Sequence, residues 1–259
     1  MAGAARGMSR GTLTAPCNGR GPAADDGDVA SFCSTCAFSQ ACLSQGMDKA
    51  ALAELHVLVE HVGPFHAGEI LFREGAPFDA IAAVRGGSVK TRVLDRDGRE
   101  HVLGFHFPGE VIGLDAIDRE HYPCDAIALD TVTLCRFSFP RMAVLASRLP
   151  GLQQQLFRLL SRDIGRATLL AGDFTADQRM AAFLMVLSRR FHARGYSATR
   201  FQLTMARTDI ANYLRLAPET VSRVLGRFQQ QGMLVVERRE VELVDPAALS
   251  ELAAALLRT

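Results

Sequence analysis

Apolar residues change their spacing several times along this chain, and each change marks an element. Up to about Val29 bulky apolar residues are sparse and Gly, Ala and Pro abundant, so the stretch is expected to be disordered. From about Leu52 to Phe139 short strand-like runs such as EILFREG and AIALDTVTLCRFSF are interrupted at Gly68, Gly75, Gly86-Gly87, Asp97-Gly98, Pro108-Gly109 and Gly113. That is the turn spacing of an all-β roll or sandwich. Asp97-Gly98, between Val93 and Val102, predicts a hairpin turn. Leu149, Leu152, Leu156, Leu159, Ile164 and Ala167 then follow at three-, four- and five-residue steps, predicting a helix that begins near Pro140 or Pro150. Such a seam is either a coiled-coil dimer contact or a helix packed on its own domain.

The stretch Arg207–Gln231, RTDIANYLRLAPETVSRVLGRFQQQ, reads as two helices with a break at Arg215-Leu216-Ala217, Pro218 suiting the first position of the second. In that second helix Val221, Val224, Leu225 and Phe228 make one apolar face, and Glu219, Ser222, Arg223, Gly226 and Arg227 the opposite one, with Thr220 beside it. Met233–Val244 reads as two strands around a polar turn. Two helices and a hairpin in this order form a winged helix-turn-helix. An outward face carrying carboxylate, hydroxyl and guanidinium groups suits a DNA major groove, where Arg donates a fork to guanine and Glu accepts from cytosine.

Charge sharpens this reading. The chain as a whole is at +1, but Gln178–Arg239 holds eleven Arg against three acids, leaving the remainder acidic by seven charges. A basic C-terminal module on an acidic body is the footprint of phosphate binding. No run of eighteen apolar residues and no secretion signal is present, so the protein is expected in the cytoplasm, away from any membrane, where structural disulfides are disfavoured. The six cysteines then need another use. Cys33, Cys36 and Cys42 form a C-x2-C-x5-C cluster that could point three thiolates at one centre. Cys124 and Cys135 are the distant candidates for a fourth ligand, and Cys17 lies in the loose tail. Spacing leaves iron–sulfur and zinc level.

The order of parts resembles the CRP/FNR transcription regulators, specifically the oxygen-sensing FNR branch, over roughly Cys33 to Leu252. The motifs that carry the resemblance are C-x2-C-x5-C, GFHFPGEVIGLDAI (104–117), AAFLMVLSRRF (181–191) and ANYLRLAPETVSRVLGRFQQQGML. It implies an α+β chain with a cyclic-nucleotide-binding-like β-roll, a long dimerisation helix and a C-terminal winged helix-turn-helix. The expected boundaries are a leader at 1–30, a cluster-binding segment and β-roll at 31–147, the dimerisation helix at 148–174 and the DNA-binding domain at 175–259. It further implies a 4Fe–4S cluster held by Cys33, Cys36, Cys42 and Cys135, since the family's β-roll ligand closes ALDTVTLC. The family's base-reading residues fall on Glu219, Ser222 and Arg223, implying an inverted pair of TTGAT-like half-sites on double-stranded DNA read by a homodimer. Contact of the Asp95–Gly98 turn with RNA polymerase is implied in the same way. The acidic residue that the family places on the dimer seam corresponds to Ala167, with Asp163 as a substitute. The alternative is a zinc-stabilised or cluster-free regulator of the same fold answering another small effector.

Cyclic AMP is disfavoured as that effector. The phosphate pocket of cAMP receptor relatives uses a Glu and an Arg-Ser pair, which here correspond to Leu114 and to Cys124 and Asp125. A thiol beside a carboxylate repels a phosphate where an arginine would bind it. No catalytic motif argues for an enzyme: G-x-S-x-G, a phosphate-binding G-x-x-x-x-G-K-[ST] and H-E-x-x-H are all missing, and the seven His are scattered.

Overall fold

The computed structural model describes residues 42–168 and 172–257, the side chains of 165–168 excepted. The leader, Cys17, Cys33, Cys36 and the side chain of Ala167 therefore lie outside the described residues. Helix α1 (Lys49–His56) comes first, its N-terminus capped by the Asp48 carboxylate, which accepts the Ala51 N–H at 2.8 Å. Leu52 and Leu55, three apart, bury on its inner side. The β pattern expected from Leu52 begins instead at Val59, because a capped i, i+3 leucine pair favours a helical turn over a strand.

Eight strands follow: β1 (Val59–Phe65), β2 (Ile70–Phe72), β3 (Ala80–Gly86), β4 (Val89–Leu94), β5 (Glu100–His106), β6 (Val111–Ile112), β7 (Asp125–Ala128) and β8 (Val132–Ser138). They form two antiparallel sheets of order β1-β8-β3-β6 and β2-β7-β4-β5. The predicted hairpin joins β4 to β5, with Gly98 at φ 76° and Asp95 Oδ1 accepting the N–H groups of Asp97 and Arg99.

Alternation on β3 and β8 separates two cores. Ala82, Val84, Val132 and Leu134 face the roll interior with Leu71, Phe72, Ile112 and Tyr122. Ile81, Ala83 and Phe137 face the other way, onto helices α2 (Phe139–Arg148) and α3 (Pro150–Thr168). Both expected helix starts are therefore real. Leu149 between them is extended, as the residue before a proline is pushed to be. Leu152, Leu156 and Leu159 are buried against the protein's own roll. For these three, packing on the own domain is the arrangement observed. Among its described side chains, the large apolar ones that α3 leaves exposed are Phe157 and Ile164, one heptad apart.

A third core joins the roll to the C-terminal module. Helix α4 (Ala176–His192) begins with a capping box between Thr175 and Gln178, and buries Met180, Phe183, Leu184 and Leu187. Phe105 and Phe107, from the end of β5 and just beyond, pack into the same cluster. Glu110, 5% exposed, closes this junction by pairing with both Arg190 and Arg194. The module continues through α5 (Arg207–Leu214), α6 (Pro218–Gln230) and a three-stranded sheet of β9 (Arg200–Gln202), β10 (Leu234–Glu237) and β11 (Glu240–Leu243). Strand β9 escapes the sequence reading because it is only three residues long, although Phe201, Leu203 and Met205 alternate inward. Helices α7 (Pro246–Leu252) and α8 (Ala254–Leu257) end the described chain, with Asp245 as N-cap and Pro246 at the first turn.

Removing Glu110 strands two buried guanidinium groups. Glu110→Ala is expected to cost about 3–5 kcal/mol in urea unfolding, and Glu110→Gln, which keeps an acceptor, distinctly less. A loss below about 1 kcal/mol for Glu110→Ala would mean that carbonyl partners hold both arginines without it.

Candidate DNA interface and thiol site

Helices α5 and α6 meet at a turn in which Arg215 adopts φ 55° and its N–H and that of Leu216 return to the Asn212 and Ala211 carbonyls. Pro218 occupies the first turn of α6, where its missing N–H costs nothing. Val221, Val224, Leu225 and Phe228 are buried, which locks the rotation of the helix. Glu219, Ser222, Arg223 and Arg227 consequently face solvent, while Thr220 is half-buried. Thr220 Oγ1 accepts from Arg223 Nη2 at 3.1 Å, steadying that guanidinium. Arg227 instead pairs with Asp177, at the start of α4. Gly226 lies on the same exposed face with open space where a Cβ would project. Packing within the protein therefore requires no glycine there, and the bare backbone leaves room for a close external surface. At the wing tip Arg238 sits at φ 57°, joining β10 to β11, and Arg239 follows it, both exposed.

The sequence reading missed how this module is fastened to the roll. Asn212 on α5 accepts the Val102 N–H at 2.7 Å and donates to the Glu100 carbonyl, completing the free edge of β5. Lys90 Nζ stands 2.7 Å from both Glu100 and Asp209. Single polar residues on otherwise regular faces were the only signal for these links.

The three described cysteines divide between two environments. Cys42 and Cys135 are half-exposed thiols packed against the same outer core of the roll. Cys135 lies on β8, and His61 Nδ1 on neighbouring β1 is 3.7 Å from its sulfur. Burial, then the charges of Arg85 and His56, lowers the pKa of His61. Cys124 is fully buried between the sheets and donates to Asp115 Oδ2 at 3.5 Å. Burial and then the charge of Asp115 push its thiol far above the usual range, with Asp125 and Glu74 adding to the effect. A thiol so placed resists forming the thiolate that a metal requires. Half-exposed thiols on a shared core suit a soft metal centre. Cys42 and Cys135 thus fit the donor set, its other proposed members lying outside the described residues. Among the described residues alone, no three His, Cys, Asp or Glu side chains are grouped to hold a metal ion.

The nucleotide-pocket positions are otherwise occupied. Leu114 is buried in the outer core, and Asp125 accepts the Glu74 N–H at 2.9 Å and faces Arg92 Nε at 3.3 Å. Arg92 is shared with Glu100 as well, so its charge is already countered. No helix among the described residues is long and apolar enough to cross a membrane.

Residues 63–148 match the cyclic nucleotide-binding domain family, and residues 178–252 the Crp-like helix-turn-helix domain family. The chain is 44% identical over 224 residues to the transcriptional activator protein Anr of Pseudomonas protegens, covering 85% of this chain and 92% of that one. It is 39% identical over 230 residues to the fumarate and nitrate reduction regulatory protein of Escherichia coli strain K12, covering 88% and 92%. Among solved structures, FixK2 from Bradyrhizobium japonicum is similar with a TM-score of 0.68 at 28% identity, covering 75% of this chain and 96% of that one.

The two thiol environments predict different chemistry. In the folded, metal-free protein at pH 7.5, Cys135 should alkylate at least ~100-fold faster than Cys124, following exposure and thiolate fraction. Mass spectrometry of the labelled peptides reads both rates. Equal rates would mean that Cys124 is open to solvent.

Proposed function

Because the chain belongs to the CRP/FNR family of transcription regulators, we propose that it is an activator of the Anr and FNR type, answering low oxygen through a thiolate-bound cluster. It is a DNA-binding regulator and not an enzyme, as the matched domain and relatives are. The observation that carries the oxygen-sensing part is the placement of Cys42 and Cys135 on one core, beside α3, with Cys124 shut away on the far face of the sheet.

Cys33, Cys36, Cys42 and Cys135 would hold the group. Bound there, a 4Fe–4S cluster would supply an oxygen-labile tie between the cysteine-rich segment and β8. The chain's own residues do the rest. Leu43 and Leu55 pack into the same outer core as Leu152, Leu156 and Leu159 of α3, so the seating of the segment that carries Cys42 bears on the seating of that helix. Phe157 and Ile164, exposed one heptad apart on α3, offer the surface on which two copies associate. In that homodimer two α6 helices address an inverted pair of TTGAT-like half-sites. Glu219, Ser222 and Arg223 read bases, with Thr220 steadying Arg223. Arg227 contacts the backbone after leaving Asp177. The β4–β5 turn, with Asp97 and Gly98 exposed, is the surface offered to RNA polymerase. A ~100-fold preference of the cysteine site for the dimer-competent state, about 2.7 kcal/mol, suffices for a useful switch.

On DNA, Arg223→Ala should lose roughly 1–3 kcal/mol at its cognate base and relax discrimination there. Arg239→Ala should weaken all sequences alike and reduce the salt slope. Unchanged discrimination between the inverted repeat and scrambled DNA in Arg223→Ala would reassign the reading helix.

For the cluster, anaerobically purified parent and Cys124→Ser should show broad visible absorbance with matching iron and sulfide. Cys33→Ser, Cys36→Ser, Cys42→Ser and Cys135→Ser should each lose absorbance, dimer and specific binding together, because four ligands act as a unit. A colourless parent containing zinc would end the oxygen-sensing reading. A brown, dimeric Cys135→Ser would move the fourth ligand elsewhere.

A further inference from the structure

Gln155 is a polar residue on an otherwise leucine face. It lies on the inner side of α3, between Leu152 and Leu156 of the outer core, and its exposure is 0%. Its Nε2 donates to the backbone carbonyl of Cys42 at 3.0 Å and to Gln45 Oε1 at 3.2 Å. The opposite amide orientation would set its oxygen against the Cys42 carbonyl oxygen, so that contact chooses this one. The Oε1 atom is buried without a partner among the described residues. A leucine would fill this space without that cost, so packing does not account for the amide. The same Cys42 carbonyl also accepts the Gln45 N–H at 3.3 Å, which closes the turn after the cysteine.

We infer that Gln155 is the positioning residue through which the segment carrying Cys42 sets the seating of helix α3. The inference rests on the proposed cluster site and names how that site is regulated. Gln155 joins Cys42 directly to α3 by a side-chain hydrogen bond that spans 113 positions of sequence. Leu43, adjacent to Cys42, is fully buried in the same core, so the turn and the helix are packed as well as bonded. Phe157 lies two residues beyond Gln155 and projects from the other side of the helix. A helix moves as a rigid element over so short a distance. Any shift of the Cys42 carbonyl is therefore delivered to the exposed Phe157–Ile164 stripe through Gln155. Coupling of this kind needs an element with two seatings that both sites bias, and α3 is that element.

The test uses the full-length chain and Gln155→Leu, which keeps the volume and removes both hydrogen bonds. In metal-free protein, amide hydrogen exchange across residues 42–47 should accelerate at least tenfold, while β3 and β8 exchange as in the parent. In anaerobically reconstituted protein of equal iron content, the ratio of dimer dissociation constants without and with iron should fall at least tenfold. Sedimentation reads that ratio. A Gln155→Leu protein that keeps the parent's ratio overturns the inference, whatever its exchange does. A parent whose own ratio is 1 defeats the cluster reading instead, and the two failures are thereby told apart. If Gln155→Leu does not fold, Gln45→Ala, at the half-buried rim of the contact, replaces it. The same two changes are then expected at smaller size, and an unchanged ratio there overturns the inference equally.

Discussion

Strand β3 is buried along almost its whole length on both faces, and β8 carries core residues on both of its faces. A sheet in this position must supply apolar groups to two cores at once, and the period of two allots alternate residues to each. The inward set, with Val84, Val132 and Leu134, closes the roll. The outward set, with Ile81, Ala83 and Phe137, is what α1, α2 and α3 pack on. Cys124, just before β7, falls to the first core and Cys135, on β8, to the second. Their chemical difference follows from the core each one joins. One thiol is sealed among carboxylates, the other shares a half-open surface with Cys42.

The second constraint is electrical. The basic module does not simply hang from the roll. Arg190 of α4 and Arg194, just beyond its end, are turned inward onto Glu110, and Arg190 also lies over the Phe107 ring at 4.6 Å. Two guanidinium groups on one carboxylate leave a positive surplus, which the carbonyls of Phe105, Pro108 and Arg190 offset by accepting hydrogen bonds. Part of the positive charge counted along this segment is therefore structural. Of the arginines that do face outward, Arg223, Arg227, Arg238 and Arg239 lie on α6 and the wing. Local surplus along the sequence overstates what is available to a phosphate backbone, while four of the exposed arginines stand where a groove would meet them.

The leucine spacing of α3 shows how far periodicity carries. Leu152, Leu156 and Leu159 announce an amphipathic helix, and the helix is there. Spacing describes a stripe but not what covers it, and a partner helix and a β-sheet want the same stripe. The roll covers the leucines, and the weaker stripe of Phe157 and Ile164 is left to solvent. Gln155 is legible only in hindsight, as one amide interrupting that face, because its partner is a carbonyl 113 positions away.

By itself the sequence determined the local grammar: the Asp97-Gly98 hairpin, the break before Pro218, the apolar face of α6 and hence which of its residues look outward. Those features depend on φ preferences and on periodicity, which act over a few residues. Its motifs also determined the family. Only the tertiary structure decided that Leu52 and Leu55 are helical, that the short β9 completes the wing sheet, that Asn212 and Glu110 join reader to roll, and that Cys135 shares a core with Cys42 while Cys124 does not. Each of those rests on a pairing between distant segments. Such pairings are set by which surfaces meet when the whole chain closes its cores, and no window of neighbouring residues contains both partners.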